Sequence, residues 1–143
     1  MLFHLSFNGY TGTFSGKVGG FNSITFNDGA AATFDAAADI SNNAWTFDLS
    51  ARDAALSDDA LLTWGGSFAA TDQIAVTFAD DAQAQAGWSI AAVAGVADTA
   101  TFDLTIGGTA IGTVAYGQQI ASGDYAGWGF ELESGVLEFK NLA

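Results

Sequence analysis

Side chains able to do chemistry are few in this sequence of 143 residues. There is no cysteine, and the single histidine, His4, lies in an alternating apolar segment near the start. Nucleophilic catalysis needs a base beside the nucleophile, so Cys–His chemistry is impossible here and a Ser–His–Asp set would have to be built on a terminal strand. We therefore interpret His4 as an ordinary strand-surface or interface histidine.

Paired carboxylates are the other common catalytic arrangement, as in glycoside hydrolysis. The glutamates are Glu131, Glu133 and Glu138, and the first two alternate along one strand-like segment, which is typical of a solvated strand face. The sequence also lacks a phosphate-binding glycine motif and a histidine cluster. These observations predict that the chain is not an enzyme and has no catalytic residues.

Sugar binding is a second chemistry to consider. The segment 123–128 places Asp124 beside Tyr125 and Trp128, which combines a carboxylate, two aromatic rings and a glycine backbone. We predict these three as sugar-binding residues, with the alternative that the large rings simply fill the core.

Thirteen of the sixteen acids are Asp, and calcium prefers carboxylate and carbonyl oxygens. The two specific calcium signatures are missing, so calcium stands as an open alternative to charge repulsion with no ligands assigned.

The charge balance restricts the partners. Sixteen acidic and three basic side chains give a formal net charge of −13, which would repel a phosphate backbone, so we expect no nucleic-acid partner. No apolar run approaches the roughly 18 residues that span a bilayer, so we expect no membrane insertion.

The elements that must position these residues are strands. Leu5 and Phe7 share one face of the first segment with Phe3, and eighteen Gly and many Asp supply turns. With turns every few residues, the sequence predicts one all-β domain over 1–143, an antiparallel two-sheet sandwich resembling a jelly roll, with 1–8 as an exchangeable strand. Further strands are predicted at 11–14, 23–26, 32–35, 44–51, 60–64, 73–78, 88–93, 99–106, 109–116, 128–133 and 136–141.

Two hairpins have a predicted register, because two-residue glycine-containing turns join alternating segments. One sets Leu104 opposite Ile111. The other sets Glu131 opposite Glu138, where facing like charges are destabilising and solvation, Lys140, a cation or a partner's basic group could compensate. Segments 50–62 and 79–86 are predicted as connections between sheets or as short helical turns capped by Asp.

A Thr-Phe-Asp triplet recurs at 33–35, 46–48 and 101–103, with partial copies at 25–26 and 77–78. The spacings are irregular. They predict a repeated strand pattern and no solenoid or propeller period.

Edge strands are unprotected in this sequence, which has no Pro and two Lys. The first segment is alternating, apolar on one face and followed by glycines, so it can complete a neighbour's sheet by strand addition or pair inside its own domain. A head-to-tail contact of the first kind propagates into a fibre. The candidate interface residues are Leu2, Phe3, His4, Leu5 and Phe7.

The segments Thr46-Phe47-Asp48-Leu49-Ser50 and Thr101-Phe102-Asp103-Leu104-Thr105, in a chain without Cys and poor in Lys, resemble β-sandwich modules of bacterial surface layers, adhesins and extracellular fibres. The resemblance implies an exported structural protein at the cell surface or outside the cell, frequently calcium-loaded and sometimes glycosylated. The chain departs from it in having no signal-peptide pattern in Met1–Tyr10 and no Asn-x-Ser/Thr sequon.

We therefore expect a homopolymeric structural subunit of a fibre or surface layer. The alternative is a calcium-assisted carbohydrate-binding or adhesin module.

Overall fold

The chain is built almost entirely from short strands. A computed structural model describes residues 4–14, 17–19, 23–34, 39–41 and 44–143. The strands in this part of the chain are β1 (His4–Asn8), β2 (Thr11–Phe14), β3 (Lys17–Gly19), β4 (Ser23–Asn27), β5 (Ala31–Phe34), β6 (Asp39–Ser41), β7 (Ala44–Asp48), β8 (Leu62–Trp64), β9 (Ser67–Phe68), β10 (Gln73–Phe78), β11 (Ala91–Ala92), β12 (Gly95–Val96), β13 (Thr101–Ile106), β14 (Thr109–Ala115), β15 (Trp128–Glu133) and β16 (Val136–Asn141).

Along β1 to β12, successive strands belong in turn to the first large sheet, the second large sheet and a small two-stranded sheet; three such strands make one coil. The first large sheet has the order β1-β4-β7-β10-β13-β14, and the second has the order β15-β16-β11-β8-β5-β2. The small sheets are β3-β6 and β9-β12. The chain therefore visits each face once per coil and returns one strand position further along. This stacking of coils is the topology of a β-solenoid, closed at its C-terminal end by two hairpins.

The all-β prediction is confirmed, with two large sheets, but the prediction that the strands are antiparallel is wrong for most pairs. Nine of the twelve pairings in the described ranges are parallel, and antiparallel pairing is confined to β13–β14, β15–β16 and β11–β16. The sheets are thus mixed, and the jelly-roll arrangement is not confirmed.

The sequence predicted no solenoid or propeller period, and the coils stack without a constant length. The number of residues in a coil is the offset between paired strands, and it varies. His4 pairs with Ser23, an offset of 19 residues, whereas Ala44 pairs with Gln73, an offset of 29. Insertions between strands lengthen the later coils, so a stacked architecture leaves no constant period in the sequence.

Aromatic side chains form a ladder along the coil axis at the N-terminal end. Phe7 stacks on Phe26 with ring centroids 5.0 Å apart, and Phe26 stacks on Phe47 at 5.2 Å. The strand register continues this ladder with Val76 and then Leu104. Parallel in-register pairing puts equivalent residues of successive coils next to each other, so one inward position of the coil generates a continuous column in the core.

The two large sheets pack face to face through further rings. Phe102 of the first sheet stacks on Phe130 of the second at 4.3 Å, and Trp45 lies 5.8 Å from Trp64. All of these side chains except Trp64 are buried. Such aromatic contacts supply both apolar burial and a preferred ring geometry across the sandwich.

Of the two predicted hairpin registers, one is confirmed and one is wrong. Glu131 faces Glu138 in β15–β16, as predicted. In β13–β14, Leu104 faces Gly112 and not Ile111, because a bulge between Leu104 and Thr105 shifts the register by one residue.

Both segments in which helical turns were considered contain one. Residues Ala54–Leu56 form a 3-10 helix capped by Asp53, and Asp81–Gln85 form a short helix, α1, whose N-cap Asp80 accepts the amide of Gln83 at 2.8 Å. Within the described ranges, no helix has the length and apolar character needed to cross a membrane.

Arg52 links the segment that carries the 3-10 helix to the preceding coil. Its guanidinium is buried and donates to the carbonyl oxygens of Asp28 and Ala30, both at 2.9 Å, and of Asp59 at 2.8 Å. Burial lowers the pKa of Arg52, while the nearby carboxylates of Asp59 and Asp28 raise it. The side chain therefore holds the three carbonyl groups together through charge-assisted hydrogen bonds.

Candidate functional site

At the N-terminal end of the stack, the outermost strand of each large sheet has one open side. In the described part of the chain β1 pairs with β4 alone, and β2 pairs with β5 alone. The amide of Gly9 donates to the carbonyl of Asn27, 3.4 Å away. Since backbone polar groups alternate sides along a strand, the amides of Leu5 and Phe7 also point toward β4, and those of Ser6 and Asn8 point to the open edge.

The edge of β2 follows the same logic. The amide of Ala31 donates to the carbonyl of Tyr10 at 2.9 Å, which fixes the direction of the alternation. The amides of Thr11 and Thr13 therefore point away from β5. Both threonine side chains are exposed, and neither β1 nor β2 contains Asp, Glu, Lys or Arg.

The predicted interface residues occupy this end of the molecule. His4 is exposed and its ring nitrogens hydrogen-bond the hydroxyls of Ser23 and Thr25, the latter at 3.1 Å. Leu5 is half-buried and Phe7 is 5% exposed, packed in the chain's own core. Leu2 and Phe3 lie outside the described residues. In this chain the first strand thus pairs within its own sheet, and what it offers outward is its backbone edge.

The opposite end of the second sheet is covered by the chain itself. Along β15, the amide of Leu132 donates to the hydroxyl of Tyr116 at 3.0 Å, and the carbonyls of Phe130 and Trp128 accept from the segment 117–120 at 3.2 and 2.8 Å. Gly129 permits this close crossing, because a Cβ there would collide with the carbonyl oxygen of Gln118. Three outer hydrogen-bonding groups of β15 are therefore already used.

A carboxylate cluster lies on the outer face of β15–β16. Lys140 binds Glu133 at 2.5 Å and Glu131 at 3.6 Å. Burial, followed by the charge of Glu133, raises the pKa of Glu138, and Lys140 opposes this shift. The hydrogen bond from Lys140 lowers the pKa of Glu133. Lys140 therefore compensates part of the repulsion that the facing glutamates create.

A polar groove of about 350 Å³ contains one of the predicted sugar-binding residues. Asp124 lines it together with Asp80 and Asp81, and Thr109 and Ile111 of β14 also line it. Tyr125 donates its hydroxyl to the carboxylate of Asp81 at 2.6 Å. Carboxylate acceptors beside an apolar wall form a surface that can receive a polyhydroxylated ligand.

Of the two predicted aromatic platforms, Tyr125 belongs to the core and Trp128 packs against it. Tyr125 is 4% exposed, and burial, followed by the hydrogen bond to Asp81, raises its pKa. Trp128 is half-buried and packs on Tyr125 at 5.7 Å and on Phe139 at 5.2 Å. Tyr125 therefore offers no ring face to a ligand, and its role in the groove is to position Asp81.

In the part of the chain that the structure describes, no three His, Asp or Glu side chains are placed together so as to hold a metal ion. The three groove carboxylates line the same surface without forming such a cluster.

Two features of these sites escaped the sequence reasoning. Asp80 and Asp81 were recognisable as helix-capping residues, but α1 packs beside the loop bearing Asp124, which is remote in sequence. The edge of β2, with Thr11 and Thr13, was visible as a strand between Gly9 and the following glycines, yet nothing local marks which strand ends a sheet.

Comparison with protein families, with curated proteins and with solved structures found no significant match to this chain.

Proposed function

We propose that this protein is a non-enzymatic structural subunit that associates with further copies of itself by strand addition at the N-terminal edges, building a fibre or surface layer outside the cell. The single observation that supports this most is the pair of edge strands β1 and β2, each hydrogen-bonded on one side in the described part of the chain. Such edges are templates for another strand.

Composition supports the same proposal. Natural edges are commonly blunted by Lys, Pro or a bulge, and β1 and β2 contain none of these. The extracellular location rests on the resemblance of the Thr-Phe-Asp-rich segments to surface-layer, adhesin and fibre modules. The non-enzymatic character rests on the lack of Cys, the single His and a core filled by aromatic side chains.

The test removes backbone amides on the open sides of β1 and β2 and keeps the hydrogen bonds that these strands make to β4 and β5. Proline at Ser6 and Thr13 deletes an N–H on each open edge, and edge strands tolerate such a change. The matched control, Ser6→Val with Thr13→Val, keeps both amides and the strand propensity.

Sedimentation and negative-stain electron microscopy at high protein concentration give the readout. We expect the unaltered chain and the valine control to associate and the doubly proline-substituted chain to stay monomeric, with all three showing the same far-UV spectrum. A monomeric unaltered chain, or a proline variant that assembles like the control, would overturn the proposal.

A second candidate function is carbohydrate binding, favoured by the placement of Asp124 in the groove with Asp80 and Asp81. Vicinal hydroxyls can donate to these carboxylates while an apolar sugar face rests on Ile111. A glycan array, run with calcium and with chelator, should then give signals that Asp124→Asn abolishes and Asp98→Asn retains. An array without binding in either condition ends this candidate, and dependence on calcium would reveal an ion that the ligand helps to hold.

A further inference from the structure

The open edges are also the least negatively charged part of the molecule. Residues 1–22 contain no carboxylate and one lysine, whereas all sixteen carboxylates lie in residues 23–143. Two copies of a chain with net charge −13 repel each other in most orientations. The approach with the least repulsion brings the two N-terminal ends together.

The C-terminal end is a poor acceptor for those edges. A head-to-tail contact in both sheets would need the outer sides of β14 and β15. Three outer groups of β15 already bond to Tyr116 and the segment 117–120, and β14 is distorted by the bulge opposite Leu104. Glu131 and Glu133 add negative charge at that end.

We propose, building on the self-association proposed above, that the partner at the N-terminal edges is a second copy of this chain arranged head to head. In such a pair β1 meets β1 of the other copy and β2 meets β2. A two-fold axis through the interface makes each new pair antiparallel, so the amide of Ser6 in each copy faces the edge of the other.

This geometry has a consequence for assembly. A head-to-head contact is isologous and closes on itself, so it produces a dimer and not a fibre. Growth into a fibre or layer then requires a second, different contact elsewhere on the surface. Because β1 and β2 present nine residues in all, the contact is small and we expect a weak dimer.

Spin labels distinguish the arrangements, since the absence of cysteine allows a single labelled site. Three samples are measured by pulsed electron paramagnetic resonance at high protein concentration. They are Ser6→Cys labelled alone, Ala110→Cys on β14 labelled alone, and an equal mixture of the two labelled chains. Ser6 and Ala110 are both exposed, so labelling should leave the fold unchanged, which a thermal melt checks.

We expect a short label-to-label distance for Ser6→Cys alone and none for Ala110→Cys alone. A short distance seen only in the mixture means head-to-tail stacking, which overturns the head-to-head arrangement and leaves self-association standing. A short distance for Ala110→Cys alone likewise overturns it. The absence of any short distance, together with monomers in sedimentation, overturns both proposals.

Discussion

The two ends of the stacked coils treat their outermost strands differently. At the C-terminal end the chain folds back on itself, and the segment 117–120 and Tyr116 bond to three outer hydrogen-bonding groups of β15. At the N-terminal end, β1 and β2 keep one open side each within the described ranges. Charge follows the same division, since the carboxylates of β15 and β16 have no counterpart in residues 1–22.

In a parallel stack of coils, the backbone edges lie in the first and the last coil. Each coil satisfies its backbone groups through its neighbours, so the first and the last coil must find another solution. Here two hairpins end the stack, and a crossing segment covers β15. The first coil is stabilised from inside by the ring ladder that begins at Phe7, and within the described ranges the outer sides of β1 and β2 are unpaired.

Removing the middle ring of the ladder should have the largest effect. Phe26→Ala leaves a cavity between Phe7 and Phe47, and we expect the free energy of unfolding to fall by about 3–5 kcal/mol. The control is Val76→Ala, at the same ladder position two coils further on, which deletes fewer buried atoms. Denaturant unfolding measures both, and an equal loss for the two variants would show that the N-terminal end does not depend on its stacked rings.

The buried cation between the second and third coils comes next. Arg52→Ala leaves the carbonyls of Asp28, Ala30 and Asp59 without their charge-assisted donor, and we expect a loss of about 3 kcal/mol. Lys140→Ala is the control at the C-terminal end, where an exposed ion pair contributes at most about 1 kcal/mol. Similar losses for the two cations in a thermal melt would contradict this ranking.

Displacing the segment 117–120 from β15 should have the third largest effect. Gly129→Ala pushes the backbone at Gln118 away from β15, and we expect a cost of about 1–3 kcal/mol from overpacking. Hydrogen exchange at the amides of Gly117 and Ile120 should accelerate. In Gly29→Ala the added Cβ meets nothing closer than 3.9 Å, so those amides should stay protected. Unchanged protection in Gly129→Ala would mean that the crossing segment does not hold the edge.

The smallest effect is the pH dependence of the carboxylate cluster. Because the pKa of Glu138 is raised in the folded chain, ionising it costs stability, so stability falls as the pH rises from the ordinary glutamate pKa through the raised value. Glu138→Gln should therefore raise the free energy of unfolding at neutral pH by less than about 1 kcal/mol after allowance for solvent screening, and the gain should vanish in acid.

Glu133 should show the opposite dependence of stability on pH. Its pKa is lowered by Lys140, so its contribution is present above the ordinary pKa and is lost as the pH falls through the lowered value. Glu133→Gln should then destabilise at neutral pH. Thermal melts from acid to neutral pH that move both variants in one direction would contradict the assignment.

Much of the local structure was predictable. The strands β2 and β10 have the predicted bounds, and the β15–β16 register follows from the turn between them. These features depend on alternation and on turn residues that lie within a few positions of each other. The bulge beside Leu104 was not predictable, because one extra residue in a strand leaves no distinct mark in the sequence.

The candidate sites were predictable only in part. The sequence pointed to the first strand as an edge and to Asp124 as a polar group near aromatic rings. It did not reveal that Tyr125 is buried beneath Asp81, or that Asp80 and Asp81 share a groove with Asp124. Those relations join residues more than forty positions apart.

By itself, the sequence determined that this chain forms strands, which side chains turn inward, and that few reactive groups are present. The tertiary structure decided which strands are neighbours, that most of them run parallel, and which of them lie at the sheet edges. The physical reason is that alternation specifies a face of a strand and not its partner. Partners are selected by packing between coils whose lengths differ, and the core ladder from Phe7 to Leu104 exists only once the coils are stacked.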